Sequence, residues 1–182
     1  MNKSNVVLVG MPGAGKSTIG VLLAKTLKMT FIDTDLLIQQ KEDRFLQDII
    51  DTNGIKEFLK LEENVVLDTK LQNHVIATGG SVIYSSIAIR HLKEDGVLVY
   101  LKLDYDEIQK RITNITSRGI AMQKDQSLQD IYIERTPLYE EHADITINCS
   151  GKHMEEIVAD ISRILQKEPI FNKINQPGKP TK

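Results

Sequence analysis

The 182 residues and 20.5 kDa suit one domain with one sizeable core. With 41% hydrophobic and 26% charged residues the balance is that of an ordinary globular protein, and no apolar run approaches the ~20 residues needed to span a bilayer. A formal net charge of −2 and a pI near 6.1 exclude a global basic field that would draw the chain to nucleic acid or anionic membrane.

In chain order, Val6-Val7-Leu8-Val9 is a continuous apolar run ending at Gly10, the pattern of a strand buried on both faces of a parallel sheet. Residues 17–27 carry a helical period at Ile19, Leu22, Leu23, Thr26 and Leu27. Thr30-Phe31-Ile32-Asp33 reads as a second strand that delivers Asp33 and Asp35 at its carboxyl end. Helical spacing over 36–50 and 55–71 predicts two helices separated by the turn signal Asn53-Gly54. Residues 74–78 predict a third strand running into Gly79-Gly80, residues 87–93 a helix, and 97–101 a fourth strand. Helices over 104–113 and 130–142, a short fifth strand over 145–148 and a last helix over 154–166 complete the pattern. Strands alternating with helices predict an α/β architecture, a parallel sheet covered on both faces. Residues 1–168 are read as a single domain. Residues 169–182, with three of the five prolines, are expected to form a loosely held tail.

Gly10-Met11-Pro12-Gly13-Ala14-Gly15-Lys16-Ser17 satisfies G-x-x-x-x-G-K-[ST], between a buried strand and an amphipathic helix. The glycines let the backbone aim several N–H groups at one anion, and the following helix adds its positive dipole end. Lys16 would supply a mobile charge to the β- and γ-phosphates, and the Ser17 hydroxyl would ligate Mg²⁺. This motif binds nucleotide phosphate; it does not separate kinases from ATPases. Asp33 and Asp35, one residue apart, would point to opposite sides while extended and so suit two separate tasks; the bland alternative is a solvated turn with Asp35 capping the next helix.

Gly10 to Thr18, followed by Phe31-Ile32-Asp33-Thr34-Asp35, Phe58 with Glu62, Gly79-Gly80, Arg118 and Arg135-Thr136-Pro137-Leu138-Tyr139, resembles the shikimate kinase family over nearly all of residues 5–166. The resemblance implies a three-layer P-loop fold, a five-stranded parallel sheet with a lid segment. It also implies ATP and Mg²⁺ as cosubstrates and phosphorylation of a shikimate hydroxyl. The single cysteine and the absence of a signal-peptide pattern or a spanning run are read as cytoplasmic, and a monomer with no nucleic-acid or membrane partner is expected. By position, Lys16, Asp35 and Arg118 resemble the catalytic groups, with Arg118 on the lid. Residues Gly10, Met11, Pro12, Gly13, Ala14, Gly15, Lys16, Ser17 and Thr18 match the nucleotide loop, and Arg111 lies where the family stacks an arginine on adenine. Asp33 resembles the residue that holds Mg²⁺ through water together with Ser17. Asp35, Gly79, Gly80, Ser81 and Arg135 match the acceptor pocket, Arg135 as the partner of a carboxylate. For Arg118 the alternative is a solvated loop residue, and for Arg135 a surface pairing with Glu134.

Three positions depart from the family. Leu59 stands where a second carboxylate-binding arginine is expected, with Lys60 next to it but turned ~100° away on a helix. Ser81 replaces the third glycine of a Gly-Gly-Gly wall, and Gly119 the proline after the lid arginine. Leucine offers none of the charged hydrogen bonds of an arginine fork. Three readings follow: a shikimate kinase, a related kinase with another small hydroxylated acceptor, or a nucleotide-binding regulatory module. Cys149, the single cysteine, permits no internal disulfide and is read as a small buried apolar residue. The N-terminus lacks a signal-peptide pattern, and the four histidines lack metal-ligand spacing.

Overall fold

A computed structural model describes residues 3–112, 119–123 and 125–167. The tail at 169–182 and the expected lid arginine, Arg118, lie outside the described residues.

Five parallel strands form one sheet in the order β2-β3-β1-β4-β5: β1 (Asn5–Val9), β2 (Thr30–Asp33), β3 (His74–Ala77), β4 (Gly96–Lys102) and β5 (Ile145–Asn148). β1 sits in the middle, pairing Val7 with Ile76 on one side and with Leu98 on the other. All five residues of β1 are buried, as its unbroken apolar run demands. The chain leaving β1 crosses to β2 on one side and the chain leaving β3 crosses to β4 on the other. A crevice therefore opens between the carboxyl ends of β1 and β3, where ligands of open α/β sheets bind.

Eight helices surround the sheet among the described residues: α1 (Lys16–Leu27), α2 (Thr34–Glu42), α3 (Leu46–Asn53), α4 (Ile55–Leu67), α5 (Ser86–Asp95), α6 (Tyr105–Arg111), α7 (Leu128–His142) and α8 (Met154–Lys167). α1 packs on β1, β2, β3 and α8, while α5 and α7 pack against β4. None of the described helices is long and apolar enough to cross a membrane.

The single helix expected over 36–50 is two. α2 ends where Asp43 takes a left-handed conformation (φ 51°), and α3 restarts after the exposed Phe45. A second, smaller core holds this arm together: Ile38 of α2, Leu46, Ile49 and Ile50 of α3, and Phe58 and Val65 of α4, with Leu59 packed at its margin. Gly80 opens a 3-10 turn, Gly80–Tyr84, where no element was expected. Cys149 is fully buried, and burial raises its thiol to about 11, so it is an inert core residue.

Candidate active site

The phosphate loop runs from the end of β1 into α1. Gly15 caps α1 in the left-handed conformation (φ 90°), which a side chain would strain, and its carbonyl accepts from the Ile19 N–H. Met11 and Ala14 bury their side chains in the core, so the loop contributes backbone there. Lys16 is 9% exposed and curls back, its ammonium donating to the carbonyls of Gly10 (2.8 Å) and Met11 (3.1 Å). Burial lowers Lys16 to about 8; Asp35 and Asp33 oppose this, while Arg135 adds to it.

Asp33, the last residue of β2, uses both carboxylate oxygens. One accepts from the Ser17 hydroxyl at 2.6 Å and the other from the Asp35 N–H at 3.0 Å. The cap of α2 is thus Asp33, which corrects the alternative that gave this role to Asp35. The expected alternation also fails, because extended backbone ends at Asp33 and Asp35 already lies in α2. The turn brings about the same separation of tasks by another route: Asp33 faces Ser17, and Asp35 faces the cleft. Burial, then the neighbouring Asp33 charge, pushes the Asp35 carboxyl up to about 6, with Lys16 opposing.

A cleft of about 610 Å³ joins these groups. Pro12, Gly13, Gly15, Lys16, Ser17 and Thr18 line one end, Asp35, Phe58, Glu62, Gly79, Gly80, Ser81 and Arg135 the other, and Arg111 with Met154 the rim. Gly10, Met11, Ala14 and Asp33 stand behind this lining. Arg111 is paired with Glu107 at 3.1 Å on α6, within reach of the cleft.

Arg135 is 1% exposed, so the expected alternative of surface pairing with Glu134 is overturned. One guanidinium N–H donates to the Ala121 carbonyl and Nε donates to the Tyr84 hydroxyl at 3.0 Å, with the cation 5.1 Å from the Tyr84 ring centre. Tyr139, one turn further along α7, donates to the Gly80 carbonyl at 2.6 Å, and the Thr34 hydroxyl accepts from the Gly79 N–H at 3.2 Å. These bonds fix the Gly79-Gly80 wall from two sides. Thr34, Tyr84 and Tyr139 were given no role in the sequence reading; Thr34 and Tyr139 belonged to motifs, between Asp33 and Asp35 and at the fourth position after Arg135, and Tyr84 to none.

Glu62 was also given none. It is 2% exposed on the same inward face of α4 as Phe58, Val65 and Val66. Burial, then Asp35, raises its carboxyl to about 8, opposed by Ser81, Arg135 and Lys16. A glutamate at a position that helical period assigns to the core was the signal that could have found it. Ser81 is buried beside Glu62. Among the described residues no cluster of three His, Cys, Asp or Glu could hold a metal. The hard oxygens of Ser17 and Asp33, which meet at 2.6 Å, would fit a magnesium ion sharing its remaining coordination with water and phosphate.

The cleft offers a phosphate loop at one end and a carboxylate, Asp35, with a buried guanidinium, Arg135, at the other. Known proteins agree with it in sequence and fold. The family model described as shikimate kinase matches residues 12–166. A shikimate kinase of Caldanaerobacter subterraneus is 36% identical over 162 residues, 87% of this chain and 94% of its own. One from Francisella tularensis subsp. novicida is 36% identical over 171 residues, 92% of this chain and 97% of its own. The solved structure of Acinetobacter baumannii shikimate kinase in complex with shikimate superposes with a TM-score of 0.84 at 30% identity, covering 95% of this chain and 96% of that one. Thymidylate kinase of Candida albicans, at 15% identity and a TM-score of 0.58, shares the fold alone. A phosphate loop, a carboxylate and a buried arginine converge on one cleft, and the matches run nearly end to end: the chain belongs to the shikimate kinase family.

Proposed function

We propose that the chain transfers the γ-phosphoryl group of ATP to a ring hydroxyl of shikimate, giving shikimate 3-phosphate and ADP in the cytoplasm. The observation that carries this reading is one cleft with Lys16 and Ser17 at one end, Asp33 bonded to Ser17 behind them, and Asp35, Gly79-Gly80 and Arg135 at the other. Arg135 binds the acceptor carboxylate by a charged hydrogen bond. Asp35 orients the hydroxyl and takes its proton as the new P–O bond forms and the bond to the β-phosphate oxygen breaks. Lys16 leaves the carbonyls of Gly10 and Met11 to balance charge on the transferring group. Magnesium, held by Ser17 and through water by Asp33, would neutralise phosphate charge. Arg118 is proposed as the lid cation and Arg111 as the adenine neighbour.

ADP release at fixed ATP and Mg²⁺, with and without shikimate, tests the reading. A shikimate-dependent rate is expected, and its absence from protein that binds ATP contradicts it.

Arg135→Lys is expected to raise KM for shikimate about ten- to a hundredfold with a smaller change in kcat. Lysine keeps the charge but cannot hold the Ala121 carbonyl and Tyr84 while offering a second N–H to a carboxylate. Steady-state kinetics with acceptor as the varied substrate checks this.

A further inference from the structure

Gly119, Ile120 and Ala121 form a short strap that lines the cleft beside Arg135. Ile120 is buried in the core around the sheet, and the next residue, Ala121, in the second core of α2, α3 and α4. Ala121 also supplies the carbonyl that accepts from Arg135 Nη2, while Nε is held by Tyr84. That leaves Nη1, which lies 3.2 Å from where a Cβ on Gly80 would stand, for an acceptor at the glycine wall. The seat of the strap therefore sets where the guanidinium points.

An outer contact ties the strap to α3. The Gly119 N–H donates to Gln47 Oε1 at 3.2 Å, and the other end of that amide, Nε2, donates to Asp51 Oδ1 at 2.8 Å. Gln47 and Asp51 stand four residues apart on one face of the helix. Nε2 can only donate, so Asp51 decides which way the amide faces and leaves Oε1 for the strap. Position 119 meets both demands of this bond. Its N–H is one that a proline would lack, and its backbone is left-handed (φ 63°), where a Cβ would collide with Leu46. An amide–carboxylate pair of this kind adds little to a helix; its consequence lies in what it holds.

We propose that Gln47, which does not itself line the cleft, is a positioning residue for the acceptor. Asp51 orients its amide, the amide holds the Gly119 N–H, and the strap so held presents the Ala121 carbonyl that aims Arg135 at the acceptor carboxylate. The proposal rests on the acceptor reading given above. Gln47→Leu removes both ends of the amide at nearly the same size. Its KM for shikimate is expected to rise about three- to tenfold, the effect of losing one hydrogen bond, with kcat and KM for ATP little changed. The double variant Gln47→Glu, Asp51→Asn exchanges amide and carboxylate, so that a donor at 51 again orients an acceptor at 47, and KM returns to the wild-type value. An unchanged KM in Gln47→Leu overturns the proposal. So does an equal rise in both KM values, or a double variant as impaired as Gln47→Leu.

Amide hydrogen exchange at Gly119, followed by NMR without acceptor, separates this proposal from the acceptor reading. The Gly119 N–H is expected to exchange about tenfold faster in Gln47→Leu than in the wild type. Equal exchange in the two proteins overturns the proposal whatever the acceptor. Absence of shikimate turnover by the wild type, with the exchange difference present, overturns the acceptor reading and the role of Gln47 in it, and leaves the contact between strap and α3 standing.

Discussion

Lys16→Met is expected to lower kcat/KM by at least about a hundredfold while leaving the melting temperature unchanged or higher. The loss follows from removing the one mobile cation of the phosphate loop, comparable to deleting a preorganised donor at a developing charge, worth roughly 10²–10³ in rate. The stability half follows from its surroundings. Lys16 is buried, and burial lowers its ammonium to about 8. The fold thus bears a desolvated charge that methionine, of similar length, does not impose. The bonds to the Gly10 and Met11 carbonyls offset part of that cost. Steady-state kinetics and a thermal melt on the same preparation check both halves; a variant that lost activity only because it unfolded would contradict this account of Lys16.

Asp35→Asn is expected to reduce kcat by about 10²–10⁴, the usual range for losing a positioned general base, with KM for ATP little changed. Asparagine keeps the shape and one acceptor oxygen but cannot take the proton. The cap of α2 survives, because Asp33 accepts from the backbone N–H of residue 35 whatever its side chain. Substrate affinities and melting temperature therefore separate this variant from a damaged fold. A kcat within a few-fold of wild type would show that Asp35 orients the hydroxyl without receiving its proton.

The phosphate loop was legible in the sequence because its signal is local: an apolar run, glycines at fixed offsets and a helical period lie within thirty residues. The sheet was legible for the same reason, each strand being short, apolar and bounded by turn residues. The break between α2 and α3 was not, since Asp43, Arg44 and Phe45 continue a helical spacing and only the left-handed backbone at Asp43 interrupts it. The place of Arg135 in the acceptor pocket was legible only through the family resemblance. Beside an exposed Glu134 its local sequence left a surface pair open, and the packing of α7 against the 3-10 turn places it inside. Glu62 shows a third kind of limit. Its helical phase marks it as inward, but its unpartnered oxygen and the close approach of that oxygen to Gly79 are tertiary facts. The departures at 59 and 81, by contrast, were visible residue by residue and direct attention to the acceptor side of the cleft.

The most direct test of the central claim is product identification by phosphorus NMR after incubating the purified protein with ATP, Mg²⁺ and shikimate. The account predicts one new phosphomonoester resonance growing one for one with ADP, on shikimate, and absent with Lys16→Met. ADP with inorganic phosphate and no phosphorylated shikimate would contradict it.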